Sequence, residues 1–537
     1  GPGYAWTYGY TPDPYGLNSG GQVSGSVAED GSIGVPSPGL ADPTYGSTGY
    51  YVTQDIDTNL YSYDAKQTAY YLEDHWQATD RLMLSLGVRN DSFTNYTPFG
   101  QAYIELKNQW APRLGFSWDV HGDSSLKVYG NIGRYYLGLP LSPAGLFTPA
   151  VSTSTYYTYS GINADGTPIL ATQLAPPVSA NSRFGRLADV RTAVAEDIKG
   201  ENQDEVILGF TTVLPNDWVF GVRGTHRRLN DGIDDTNLDN SNAGLVAAAA
   251  AAGVDIDWTK NASAALVNPG KTNTYRVIGT DGQVHALTVT REQGGYPEFK
   301  RRYSALEFNL ERPFDGRWYT KMSYVWSHSY GTTEGQLRSD LWRTGGALGS
   351  YQGQAATSTT QSWDHAALME NFNGNQSNDR RHQLKAYGFY QLTEEWGTSA
   401  NLSLISGAPR PCLGYYYGSN YDAGDRDPAG YANPSITGGT YHFCYNPATG
   451  TGEASPPGSH GNLGWVAQLD LGLTYKPKFA EGKLALSLDV FNVTNRQTVT
   501  NVYPFSELNP GQVNPLWNQA VAYQAPRSAR VTLSYDF

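Results

Sequence analysis

The sequence predicts an all-β protein, a transmembrane antiparallel β-barrel. Three observations carry the prediction. Short segments alternate apolar and polar residues along the chain, tight and long connections alternate between them, and tryptophans stand at the tight ones. Composition agrees. The 537 residues are 39% hydrophobic and 16% charged, with 60 Gly and 39 Tyr. An ordinary soluble domain carries about 25% charged residues. No run of about 18 apolar residues is present, which excludes a helical span and leaves barrels untouched. The net charge of −13 argues against a nucleic-acid partner, which needs basic surface to displace counterions. Residues 1–10 hold no basic segment followed by an apolar run, so a signal peptide is expected to have been removed or to lie upstream.

The alternation predicts about thirteen strands: 66–77, 81–93, 109–119, 125–135, 201–214, 217–230, 300–312, 317–329, 379–392, 396–406, 465–475, 483–492 and 526–537. In the second, Leu82, Leu84, Leu86 and Val88 alternate with Met83, Ser85, Gly87 and Arg89. In the twelfth, Leu484, Leu486, Leu488 and Val490 alternate with Ala485, Ser487 and Asp489. In the last, Ala529, Val531, Leu533, Tyr535 and Phe537 alternate with Arg530, Thr532, Ser534 and Asp536. A period of two gives each strand one apolar and one polar face.

Tight connections fall near 78–80, 120–124, 215–216, 313–316, 393–395 and 476–482. Long ones fall near 94–108, 136–200, 231–299, 330–378, 407–464 and 493–525. Short turns at one end and long loops at the other mark a barrel of the bacterial outer membrane, with the long loops extracellular. Trp76, Trp118, Trp218, Trp318 and Trp396 flank five of the tight turns, and Tyr475 stands at the sixth. An indole has an apolar body and a polar N–H, which suits the headgroup layer. Arg113, Lys127, Glu205, Arg223, Glu307, Lys321, Lys385, Asp470 and Asp489 fall opposite the apolar face in strand parity. Parity alone does not say which face is outside; the tryptophans and the loop asymmetry favour the apolar one.

Thirteen is odd, whereas single-chain bacterial barrels have even counts. The first strand ends at a tight turn, so it descends from outside, and residues 1–65 are expected to form an extracellular loop segment. Residues 66–537 are then the C-terminal portion of a larger barrel. The competing count has a fourteenth strand within 45–55, and a barrel that closes alone.

Three segments resemble a known family. Ala69 to Gln77 (AYYLEDHWQ), with Leu82 to Asp91 (LMLSLGVRND), resembles the mid-barrel signature of TonB-dependent outer-membrane transporters. Leu488 to Asn495 (LDVFNVTN) resembles their penultimate-strand motif. Arg530 to Phe537 (RVTLSYDF) resembles the terminal signal read by the barrel-assembly machinery. The motif Asp379-Arg380-Arg381-His382 resembles the Oar-like branch. The resemblance implies a 22-stranded barrel, of which these would be strands ten to twenty-two. It implies partners: an N-terminal barrel half and plug, on the same protein or a separate chain; an inner-membrane energy-coupling complex acting through the plug; the barrel-assembly machinery; and outer-membrane lipid and lipopolysaccharide. The expected function is ligand capture by extracellular loops and passage through a plugged lumen. The rivals are a passive porin-like channel, a surface-display or adhesion barrel, and a soluble secreted β-rich glycan binder or glycosidase.

The loops hold the candidate site residues. Cys412 and Cys444, the only cysteines, share one exposed loop of an oxidising compartment and read as a disulfide; the alternative is two free thiols. Asp231, Asp234, Asp235, Asn237 and Asp239 could hold Ca²⁺, the one cofactor the sequence suggests; the alternative is a solvated acidic turn. Asp422, Asp425 and Asp427 form a second acidic cluster. The alanines at 247–252 predict a short helix. Tyr156, Tyr157, Tyr159, Tyr415, Tyr416, Tyr417 and Tyr421 offer aromatic faces for a sugar, peptide or flat chelate, or else packing for the loops. Nothing points to an enzyme. The nine histidines show no paired metal-ligand spacing, and no phosphate loop or nucleophile motif occurs.

Overall fold

The computed structural model describes residues 3–10, 27–28, 50–58, 62–147, 151–173, 177–179, 189–335, 360–421, 424–432 and 439–537. Its main feature is one antiparallel sheet. The strands, in chain order, are β1 Ala65–Thr79, β2 Leu82–Tyr96, β3 Ala102–Asp119, β4 Leu126–Tyr136, β5 Asn202–Val213, β6 Val219–Asp231, β7 Arg301–Arg312, β8 Trp318–Gly331, β9 His382–Gln391, β10 Trp396–Ile405, β11 Val466–Tyr475, β12 Leu484–Phe491 and β13 Ser528–Tyr535. Each pairs with its sequence neighbours, so spatial order equals chain order from β1 to β13. The two-residue strand Gly374–Asn375 adds to the outer end of β8.

All thirteen expected strands are present. The register explains their alternation, because directly paired residues point to one face. Arg223 pairs with Glu307, Lys321 with both Glu311 and Tyr387, Asn401 with Asp470, and Asp489 with Arg530. The nine charged residues therefore share one face. The other face is a continuous apolar band. Leu208, Leu114, Ile132 and Val531 are exposed on it, at 59%, 53%, 52% and 70%. A patch this large belongs in hydrocarbon, where a barrel sheet satisfies its backbone groups between strands.

Tryptophans bound the band on both sides. Trp118 and Trp110 lie on the apolar face of β3, Trp318 and Trp326 on that of β8, each pair eight residues apart. Eight residues span about 26 Å of strand, matching an apolar band of about 25 Å. At the lower ring Trp218 meets Trp318 edge-on, with centroids 5.9 Å apart, and Trp396 stacks on Tyr475 at 4.6 Å.

Two expectations change. The long connection expected at 94–108 is a tight turn at 97–101, because β2 and β3 continue well past the upper ring. Their extensions stay ordered because Phe93, Tyr103, Ile104 and Leu106 pack into the core of the loops. A strand does occur at Tyr50–Thr58, but it pairs with Gly3–Tyr10 and with the loop strand Val151–Ile162 in a separate six-stranded sheet. It is not a fourteenth strand of the main sheet. Among the described residues, β1 and β13 each pair on one side only.

Candidate functional site: the polar face and the loop cap

The polar face of the sheet is a ladder of cross-strand ion pairs. Arg223 donates to Glu307, Arg227 Nε to Glu205 at 2.5 Å, and Lys321 Nζ meets Glu311 at 3.0 Å. Arg530 meets Asp489 at 3.0 Å, and Asn401 donates to Asp470 at 3.3 Å. In four of these contacts a charge faces its opposite one strand away, whereas Asp470 faces the neutral Asn401, so the face offers hydrogen bonds from both charged and neutral groups. Aromatic rings sit among the pairs. The Arg113 guanidinium lies 4.6 Å from the Tyr135 ring centroid. Tyr129 covers Gly209, where a Cβ would come within 2.8 Å of the ring, so glycine is needed there.

Two grooves open on this face. One, of about 700 Å³, is lined by Arg89, Arg113, Tyr129, Asn131 and Tyr135. The other, of about 550 Å³, is lined by Tyr319, Tyr387, Asn401, Asp470 and Asp489. Aromatic faces beside paired charges suit a polar or aromatic solute in transit.

Above the sheet, the long loops fold into a cap with cores of their own. In the largest, Leu238, Leu245, Leu266, Val277 and Leu287 pack together. The predicted helix is present as Ala243–Ala252, capped by Asn242 accepting from Leu245 N and by Gly253 in the left-handed region. A second core joins Trp363, Met369, Phe372 and Phe299, and a third joins Leu368, Tyr416, Tyr441 and Phe443.

The cap fixes most of the tyrosines singled out in the sequence. Tyr415 and Tyr416 are buried. Tyr416 donates to Glu370 at 2.6 Å, Tyr417 to Glu507 at 2.6 Å, and Tyr415 to Leu508 O at 3.0 Å. Burial, and then the carboxylates beside them, push Tyr416 and Tyr417 well above the usual phenol range. Their close backbone approach is possible because Gly439 abuts Gly414, where a Cβ would fall 2.2 Å from a carbonyl oxygen. The Tyr421 ring lies 5.2 Å from that of His365. Tyr156, Tyr157 and Tyr159 sit in the six-stranded loop sheet, against Tyr51, Trp6 and Tyr8. The two groups of tyrosines lie in different parts of the cap.

Cys412 and Cys444 form a disulfide, with Cα atoms 5.4 Å apart. Closing 32 residues contributes about 3–4 kcal/mol on the chain-entropy account.

The five residues expected to share Ca²⁺ are only partly gathered: Asp235 and Asp239 both act on the buried Asp364 carboxyl, and Asp235 and Asp364 act on Asp234. Asp231 ends β6 and is held by Lys271 and by Asn202. Residues 234–237 form a strand, and a strand sends successive side chains to opposite faces. Buried Asp234 accepts from Thr360 N at 2.6 Å and Thr360 Oγ1 at 2.8 Å. Asp239 accepts from Ser241 N and Oγ. Among the described residues, three metal-ligating atoms come within 4.8 Å of one another only at Cys412, Cys444 and His460, where both sulfurs are in the disulfide. In the second acidic cluster, Asp427 accepts from Tyr441 Oη and two backbone N–H groups. Asp422 lies outside the described residues.

Asp364 is the polar centre that sequence reasoning missed. Its carbonyl accepts from Asn237 N at 3.1 Å and Thr236 Oγ1 at 3.3 Å, and its carboxyl from Tyr431 Oη at 2.6 Å. It thus ties three loops together. Burial first, and then the charge of Asp235, push its carboxyl well above 3.8. Its partners come from 128 and 67 positions away, which no local pattern reveals.

A family model described as an outer membrane beta barrel domain matches residues 100–524. The TonB-dependent transporter Oar of Myxococcus xanthus is 24% identical over 569 residues, covering 95% of this chain and 47% of that protein. The chain therefore spans about half the length of the curated relative it matches. Among solved structures, the outer membrane transporter YddB from Escherichia coli aligns at a TM-score of 0.46 and 13% identity, over 91% of this chain and 50% of that one. The FrpB iron transporter from Neisseria meningitidis aligns at 0.45 and 13%, over 91% and 51%.

Proposed function

The chain belongs to the outer membrane beta barrel domain family, and from that premise we propose that it is the strand-rich half of a TonB-dependent transporter of the Oar kind. It resides in the bacterial outer membrane with its long loops extracellular. The observation that supports transport is the sheet itself. Thirteen strands carry lipid on one face and an ion-paired, aromatic-lined surface on the other, and both edges are unpaired among the described residues. An open edge in hydrocarbon leaves its backbone groups without partners, so further strands must complete the barrel.

In this reading an N-terminal barrel half completes the ring and a plug fills it. The cap meets the ligand, and the polar face supplies exchangeable hydrogen bonds along the path. The plug couples to the inner-membrane complex. The role is transport and not catalysis.

The test is a fully denaturing gel with intact mass of the membrane-extracted protein, followed by planar-bilayer recording. A second polypeptide, or one far heavier than 58.5 kDa, with nearly silent bilayers, is expected. A lone 58.5 kDa polypeptide with a steady open conductance would replace this reading with a passive channel. Surface display is the second reading, favoured by the separate cores of the cap. Deleting residues 407–464 separates the two: a transporter loses uptake while the barrel still assembles.

A further inference from the structure

The base of the loop 407–464 gathers three metal-ligating side chains. Antiparallel backbone bonds close that base: Arg410 N donates to Gly461 O at 2.8 Å, and Leu463 N to Ala408 O at 2.8 Å. They set Cys412 opposite the turn that carries His460. The short strand Phe443–Asn446 brings in Cys444, because Gly414 N donates to Tyr441 O at 3.1 Å and Ser455 N to His442 O at 2.9 Å. Both sulfurs and one ring nitrogen of His460 lie within 4.8 Å of one another. Zinc binds sulfur at about 2.3 Å and imidazole nitrogen at about 2.0–2.1 Å, so a tetrahedral ion needs its ligand atoms about 3.5–4 Å apart. Cα atoms 5.4 Å apart let the two sulfurs separate that far once they are no longer bonded.

The imidazole is prepared for this role. Ser455 Oγ donates to Cys412 O at 2.7 Å, which commits the hydroxyl proton. His460 Nε2, 3.0 Å from the same Oγ, is therefore the donor to it. Nδ1 is left with the lone pair that a metal takes, while the other nitrogen is anchored as in metal-bound histidines. Burial first, and then the Arg410 cation, lower the His460 pKa, so the ring is neutral near pH 7. Arg410 and Cys412 line one cavity of about 20 Å³, room for a single water at the fourth position of a zinc ion. A cation there favours thiolate over thiol.

We propose that this corner is a thiol-gated zinc site, in which Cys412, Cys444 and His460 bind one Zn²⁺ when the disulfide is reduced. Two thiolates and an imidazole select zinc over the hard cations that carboxylates take. A low-molecular-weight thiol supplies the two electrons. Its thiolate attacks one sulfur, forms a mixed disulfide and releases the other cysteine. A second thiol frees the first and leaves with it as the small-molecule disulfide. Zn²⁺ then displaces the two cysteine protons to solvent. Cys412 and Cys444 are buried, which slows the first attack and leaves its products unchanged. In either state the base of the loop stays tied, by a covalent bond or by the ion. The site acts on the cap and is independent of what the barrel transports.

The test reduces the whole membrane-extracted protein with a phosphine, removes the reductant under inert gas, and titrates Zn²⁺ by calorimetry. The reduced protein is expected to bind one Zn²⁺ at least about a hundredfold more tightly than the oxidised protein, with release of protons. Co²⁺ in its place should give thiolate-to-metal charge-transfer absorption and the intense visible bands of a tetrahedral site. His460→Ala should weaken Zn²⁺ binding by about tenfold or more and leave the disulfide able to form. His285→Ala, elsewhere in the cap, should keep wild-type affinity. Protease resistance of the oxidised His460→Ala cap verifies its fold; if it is cleaved, the wild-type Co²⁺ spectrum decides. Equal affinity in the two redox states would overturn the proposal and leave the cysteines as a staple alone. So would undiminished affinity in a folded His460→Ala, or an octahedral Co²⁺ spectrum. Uptake is not read, so a negative result leaves the transport reading standing.

Discussion

Asp364 shows how one buried carboxyl can set the behaviour of a loop cap. Its proton is held because burial and Asp235 disfavour the charged form, and an opened cap would release it. The sign follows from linkage. A carboxyl raised above 3.8 in the folded cap contributes stability that is full below about pH 4 and declines as pH rises toward the raised value. Amide exchange of residues 360–372, corrected for the intrinsic rate, should show protection falling as pH rises above about 4. Asp364→Asn should flatten that dependence, and protection rising with pH would count against the account. Cys412 and Cys444 act on the same cap through chain entropy. Replacing both with serine should remove about 3–4 kcal/mol of cap stability. Protease should then cut within 407–464 on intact cells, while the barrel keeps its heat-modifiable mobility.

At the scale of a strand, position is set by which solvent each face meets. Leu208 and Asn131 lie on adjacent strands but on opposite faces, since Leu208 pairs with Gly130 and Asn131 with Ile207 and Gly115. Leu208→Arg puts a charge into hydrocarbon and should cost about 2–4 kcal/mol, read as a lower midpoint in denaturant refolding into vesicles. Asn131→Arg faces the polar groove and should change that midpoint little. Equal effects would mean that the faces are assigned the wrong way round. Strand length obeys a different rule. β2 and β3 continue past the membrane because Phe93 and Ile104 find a core above it, and the alternation in that stretch is too irregular to announce this.

For the whole molecule, the decisive feature is an unclosed sheet. β1 lies at one edge and β13 at the other, more than the width of a single pairing apart in strand order. Introducing one cysteine in β1 and one in β13 of the membrane-embedded protein should give no direct crosslink between them. Formation of that crosslink would mean that thirteen strands close alone, and would favour the passive channel.

Much of this architecture was legible from the chain. Alternation placed all thirteen strands, because the two-residue period is a local property of extended backbone and lipid sorts its two faces without further information. The disulfide was legible too, since two cysteines in one loop leave one intramolecular pairing. The tyrosines were visible as a cluster, but their partners were not. Glu370 and Glu507 lie 46 and 90 residues from the hydroxyls they accept from. The acidic run at 231–239 was visible as a string of letters, but the buried Asp364 on which Asp235 and Asp239 act was not.

The sequence by itself determined the strands, their apolar and polar faces, and the end that carries the loops. Only tertiary structure decided which loop groups meet, that a carboxyl pair lies inside the cap, and that His460 stands beside the disulfide. The reason is the same in each case. Periodicity and partition act within a few residues of chain, whereas a charge cluster or a buried carboxyl pair depends on register and loop packing, which join residues that are remote in the chain.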